Sequence, residues 1–282
     1  MTDFGAGWDL LILVIVSFVP ALIYLSWIRG TERYGREAWG PLLRAFVYGA
    51  IFATITAAIL ELVIVSLGTA ISQQYPAPEF VFLNGNSDAG AFFLVLVIAP
   101  FVEEALKASG VVAFRKSFRQ LADGPVFGAS VGLGFGFFET FLYGLGAYFV
   151  GGLAAGLALI LIRSVSSVLL HGSSTGMFGY GYARSKFNQP GPGTGSYYMV
   201  AVGMHASFNA LASLAAILAI VGVGGVANDA ASLFALLAAV FFAFWAIEHV
   251  RSIIQAADYP GLLGTTIRYQ PPVKPGTPGR RS

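Results

Sequence analysis

Three glutamates, two histidines, one lysine and one asparagine stand out because each sits inside an apolar run. The stretch APFVEEALK carries Glu103, Glu104 and Lys107; FGFFET ends in Glu139; VLLHGSSTG carries His171; and MHASFNALAS carries His205 and Asn209. Each charge left in lipid costs roughly 2.5–3.5 kcal/mol, so residues like these face protein or trapped water. With Arg163 in place of the histidines, the charged members Glu103, Glu104, Lys107, Glu139 and Arg163 would together cost on the order of 15 kcal/mol if left in lipid. Two adjacent carboxylates at low dielectric cannot both ionise cheaply, and a neighbouring lysine favours ionisation of its partner. Such a pair can activate water and then protonate a leaving amine. His and Asn donors aimed at a carbonyl can stabilise an oxyanion. That combination describes peptide-bond hydrolysis inside a bilayer.

A metal scheme draws on the same residues. Glu139, His171 and His205 are a fitting donor set for Zn2+, with a fourth position for water and another glutamate as base. There is no HExxH motif and no cysteine, so a metal site would be assembled from separate helices. Both schemes stay open on the residues alone.

Helical spacing sorts the faces. Glu103 and Lys107 are four apart and share a face, so they are expected to pair; Glu104 lies about 100° away. Pro100 has no N–H, so it should kink its helix and free a carbonyl close to the glutamates. Gly128, Gly132 and Gly136 recur every four residues and form a face for close helix approach, from which Glu139 also projects. Ser164, Ser167, His171 and Ser174 make one polar stripe with Thr175 beside it. Arg163 reads as a structural counter-charge for a glutamate. Glu61, Glu248 and His249 read as interfacial residues near span ends.

The elements that must position these residues are membrane spans. Hydrophobic residues make up 56% of the 282 and charged ones only 11%, far below the roughly 25% charged residues of soluble domains. A net charge of +2 without a basic patch excludes a nucleic-acid partner. Seven apolar segments approach or exceed the roughly 20 residues a span needs, at 8–28, 41–67, 90–114, 125–150, 153–183, 197–221 and 230–256. The fold class expected is all-α, a polytopic membrane helix bundle of about seven transmembrane helices. The N-terminus lacks the basic region of a secretory signal, so the first run is expected to be a retained span.

Lysines and arginines set the orientation. Arg29, Arg33, Arg36 and Arg44 flank the first loop, Arg115, Lys116 and Arg119 the third, Arg184 and Lys186 the fifth, and Arg251, Arg268, Lys274, Arg280 and Arg281 the C-terminal end. The intervening loops at 68–89, 151–152 and 222–229 carry none. This predicts the N-terminus outside and the C-terminus in the cytoplasm, in a multi-pass protein of the plasma membrane. Residues 1–258 form one integral membrane domain with its motif core at 90–221, and 259–282 read as a disordered basic tail. Counted from the cytoplasmic ends, Glu103, Glu139, His171, His205 and Asn209 all lie roughly 14–22 Å deep at 1.5 Å per residue. Helices of alternating direction thus bring their polar residues to one level.

The pattern EExxK at 103–107, FxxxE at 135–139, a lone His followed by small polar residues at 171–176, and HxxxN at 205–209 resembles the PrsW family of intramembrane proteases. That family belongs to a wider group with the CAAX prenyl proteases and bacteriocin-processing membrane proteins. The CAAX branch has a His in the second motif, so Glu139 leans toward PrsW. The resemblance implies proteolysis of membrane-bound substrates, single-span anti-sigma factors among them. It assigns Glu103 and Glu104 to water activation, has Glu139, His171 and His205 complete the site, and gives Asn209 the task of assisting or orienting His205. Metal-dependent and glutamate-only forms are both implied. The competing readings are a proton- or ion-coupled transporter using the same buried residues, which the lack of an internal repeat counts against, and a scaffold without catalysis.

Overall fold

Long apolar runs become long helices in the computed structural model, which describes residues 4–258. The chain runs through α1 (Phe4–Thr31), α2 (Trp39–Val47), a π-helical segment (Tyr48–Ala53), α3 (Thr54–Gln74), a 3-10 turn (Pro78–Leu83) and α4 (Asp88–Phe93). A second π segment (Leu94–Ile98) leads into α5 (Ala99–Ala113), followed by α6 (Asp123–Ser164), α7 (Ser167–Lys186), α8 (Thr194–Ala212), α9 (Leu214–Ile220) and α10 (Gly225–Asp258). No strand occurs among the described residues. The expected tail at 259–282 lies outside them.

Burial is inverted relative to a water-soluble domain. Phe241 is 73% exposed, Leu62 67% and Val150 93%, whereas Lys107 and Ser174 are fully buried. Backbone groups satisfied within helices and an apolar exterior are what a lipid solvent demands. Among the described residues five helices are long and apolar enough to cross a membrane, and α8 with α9, bent by 57° at Ser213, makes a sixth when the pair is counted as one span. The protein is therefore an all-α, multi-pass membrane bundle.

The long apolar run Asp123–Lys186 is folded back on itself. Gly152 takes φ 75° and ψ −172°, a conformation open to glycine and strained for other residues. The two arms then run antiparallel: a Cβ on Gly128 would strike the Thr175 carbonyl, and one on Gly132 the His171 carbonyl. The glycine ladder therefore brings α6 backbone-close to α7, and divided at Gly152 the run supplies both of the segments expected at 125–150 and 153–183. The second arm is interrupted again at Val165 and Ser166, where the backbone leaves helical geometry. α7 is buried nearly all round, as befits a helix at the centre of a bundle.

At one end of the bundle the loop after α1 is tied down. The Asp258 carboxylate accepts backbone N–H bonds from Arg33 (2.6 Å), Tyr34 (3.0 Å) and Gly35 (3.1 Å). Arg119 pairs with Glu37 at 3.0 Å. Burial, with the carboxylates of Asp123, Glu37 and Asp258 nearby, pushes the Glu32 carboxyl up to about 8, against the lowering effect of the Glu37 N–H that it accepts.

Candidate active site

α5 presents Glu103, Glu104 and Lys107, all buried. The lysine makes its closer ion pair with Glu104, at 2.7 Å, and lies 3.5 Å from Glu103. The i, i+3 partner thus prevails over the i, i+4 partner expected from spacing, because other helices draw both groups inward. The Lys107 ammonium also sits 2.8 Å from His171 Nδ1 and 4.3 Å above the Phe135 ring. It is a buried cation held by two carboxylates, an imidazole and an aromatic face.

The two histidines arrive from α7 and α8, their ring centroids 4.9 Å apart and nearly perpendicular. An ammonium can only donate, so His171 Nδ1 accepts from Lys107, and His171 Nε2–H donates to Glu139 Oε2 at 2.7 Å. That network assigns a neutral imidazole with its proton on Nε2. His205 Nδ1 lies 3.1 Å from Glu104 Oε1 and donates to it, which leaves the Nε2 lone pair 3.8 Å from Glu103 Oε2. Glu104 accepts further from Ser174 Oγ at 3.0 Å. Glu104 Oε1 is therefore saturated, with Thr175 Oγ1 3.5 Å from its Oε2, while Glu103 is loosely held.

Glu139 projects from α6 toward Arg163 at 2.6 Å, beside the break between α6 and α7. The same guanidinium group bonds Ser167 Oγ at 2.9 Å and stacks on Tyr143 at 3.9 Å. Arg163 is a counter-charge, as its position suggested. Of the polar stripe, Ser167 and Ser174 join the network; the buried Ser164 hydroxyl makes no hydrogen bond among the described residues.

A cavity of about 220 Å³ opens onto Glu103, Glu139, His171 and Asn209. Glu104, His205 and Lys107 lie behind that wall. Asn209 does not touch His205 through a hydrogen bond; its Nδ2 donates to the Val95 carbonyl at 2.8 Å. The reason is local. In the π segment Ala99 N–H bonds the carbonyl five residues back, at Leu94. The next such bond would run from residue 100 to Val95, and Pro100 has no N–H to give. Asn209 on α8 replaces the missing donor, so the carbonyl freed by Pro100 docks α8 to the π segment that leads into α5.

One residue of the wall was misread from sequence. Glu61 lines the cavity, although the expected span 41–67 put it close to a membrane surface. The helix continues to Gln74, which moves Glu61 to its interior. The usable signal was that Glu61 is the single charged residue between Arg44 and Gln74.

Among the described residues, the donors that lie within reach of one ion are Glu103, His171 and His205, whose ligand atoms fall within 4.8 Å of one another. Two imidazoles and a carboxylate suit Zn2+. Glu103 thus stands where the sequence reading put Glu139, whose Oε2 already receives Arg163 and His171. An ion there would require Lys107 to release His171 Nδ1.

The family profile described as PrsW family intramembrane metalloprotease matches residues 37–247, a range holding every site residue named above. A Protease PrsW of Clostridioides difficile (strain 630) is 26% identical over 178 residues, 62% of this chain and 66% of that protein. One of Shouchella clausii (strain KSM-K16) is 26% identical over 180 residues, 63% of this chain and 71% of that protein. The match to the first of these thus spans just under two thirds of its length. No solved structure matches the chain. The match extends over more than half of the chain and takes in the buried acid and imidazole groups on α5 to α8, so this chain belongs to the PrsW family of intramembrane metalloproteases.

Proposed function

We propose that the protein is an intramembrane endopeptidase that hydrolyses a peptide bond of a membrane-bound protein, with a single-span protein of the plasma membrane as substrate. The observation that carries this reading is the asymmetry of the adjacent glutamates. Glu104 Oε1 is held by Lys107, His205 and Ser174, away from the cavity lining, whereas Glu103 borders the cavity with the His205 Nε2 lone pair 3.8 Å away.

In this reading a water on the cavity side of Glu103 loses a proton to Glu103 as its oxygen bonds the scissile carbonyl carbon. The oxyanion is met by donors on the cavity wall, where Asn209 has a second amide N–H beyond the one given to Val95. Glu103 then returns the proton to the amine nitrogen as the C–N bond breaks. Glu104 and Lys107 position Glu103 and His205, and Glu139 with Arg163 orients His171. Glu103, His171 and His205 would hold a divalent ion, Zn2+ by donor type; such an ion lowers the pKa of bound water and polarises a carbonyl.

Membranes carrying wild type are compared with membranes carrying Glu103→Gln, and mass spectrometry records new peptide termini. Termini that depend on Glu103 support the proposal. An identical set, with both proteins folded and abundant, overturns it, and proton flux in liposomes then tests the transporter. A chelator arm, with zinc measured by plasma mass spectrometry, separates the metal from the glutamate-only scheme.

A further inference from the structure

Every acid at the site has its cation except one. Glu103 and Glu104 share Lys107, and Glu139 has Arg163. Glu61, across the same cavity, makes no hydrogen bond or ion pair among the described residues, and its Oε1 is buried without a partner. The cavity wall holds three glutamates, Glu61, Glu103 and Glu139, against one arginine, and that arginine already binds Glu139 and Ser167. The remaining wall is largely apolar, with Ala57, Ala58 and Leu94 among its residues.

A carboxylate in such surroundings calls for a counter-charge more strongly than for a dipole. The excess of acid draws a cation into the cavity. A lysine or arginine carried by a membrane-embedded segment faces the complementary difficulty, since lipid offers it no partner. Each group relieves the other.

We propose that Glu61 is a specificity-determining residue that receives a lysine or arginine side chain of the substrate, a few residues from the scissile bond. The assignment rests on the endopeptidase reading above. The substrate class it defines is a membrane segment with a basic residue near the cut. Glu61 takes no part in bond making or breaking.

The test compares termini produced in membranes carrying wild type, Glu61→Gln and Glu61→Lys. Wild-type cut sites are expected to be enriched in Lys and Arg; Glu61→Gln should lose that enrichment, and Glu61→Lys should shift it toward Asp and Glu. A peptide reporter built on one wild-type site, with its basic residue changed to Gln, should fall about tenfold or more in kcat/KM with the wild-type enzyme. That arm does not depend on either variant folding. Wild-type termini without basic enrichment, or a reporter indifferent to the change, overturn the role of Glu61 alone. Absence of any termini that depend on Glu103 overturns the endopeptidase reading itself.

Discussion

Lys107 Nζ lies 2.8 Å from His171 Nδ1, so a lysine of α5 sets the tautomer of a histidine on α7. The same ammonium bridges Glu103 and Glu104. Removing it leaves two buried carboxylates facing one another and His171 without its donor. Lys107→Met is expected to lower stability by about 3–5 kcal/mol, read as an earlier thermal transition in detergent, and to abolish cleavage. An unchanged melting curve would mean that the ammonium does not hold the site together.

The two glutamates should separate in their consequences. Glu103→Gln is expected to stop cleavage by a factor of about 100 or more with little change in melting. Glu104→Gln also stops cleavage but disturbs Lys107, His205 and Ser174 at once, for a loss of about 1–3 kcal/mol or more. Parallel melting and cleavage measurements on both variants check this. Equal melting losses would contradict the division into a reacting and a positioning carboxylate.

Asn209→Ala and Asn209→Asp both remove the donor to the Val95 carbonyl. The orphaned carbonyl should cost about 1–3 kcal/mol, and cleavage should fall because α8 carries His205. Asp keeps the size of Asn but replaces the amide donor by an acidic oxygen, so Asp reads loss of the bond with packing kept and Ala reads it without the added acid. Full activity and stability in Asn209→Asp would remove the docking role.

Gly128→Leu or Gly132→Leu should prevent accumulation of folded protein, because a Cβ there would strike the Thr175 or His171 carbonyl. Gly146→Ala is the control. A Cβ at that position meets nothing within 4 Å, and the change should be neutral or slightly stabilising. Yields after detergent extraction and size-exclusion chromatography read the difference.

Glu32 makes stability depend on pH. Its carboxyl is raised to about 8 in the folded protein, above the roughly 4.3 of an unfolded chain. An acid shifted upward contributes stability that is full below the unfolded value and lost as pH rises through the folded one. Melting in detergent should therefore weaken from about pH 5 to pH 8, and Glu32→Gln should flatten that slope. A wild-type profile as flat as that of the variant would contradict it.

The sequence by itself determined the solvent and the cast. Apolar runs long enough to span can be satisfied only as helices in lipid, and charges inside them are too costly to lie anywhere but at a shared interior. Glu103, Glu104, Lys107, Glu139, His171, His205 and Asn209 were legible for that reason, as were the close seam of the glycine ladder and Arg163 as a counter-charge. Helical spacing, however, fixes only neighbours on one helix. That Lys107 binds Glu104 and His171 more closely than Glu103, that Asn209 fills the place of the proline's missing N–H, that Glu103 and not Glu139 lies with both histidines, and that Glu61 faces the cavity are contacts between helices. They depend on where each helix ends, how it rotates and which face its neighbour offers, and those are decided when the bundle packs.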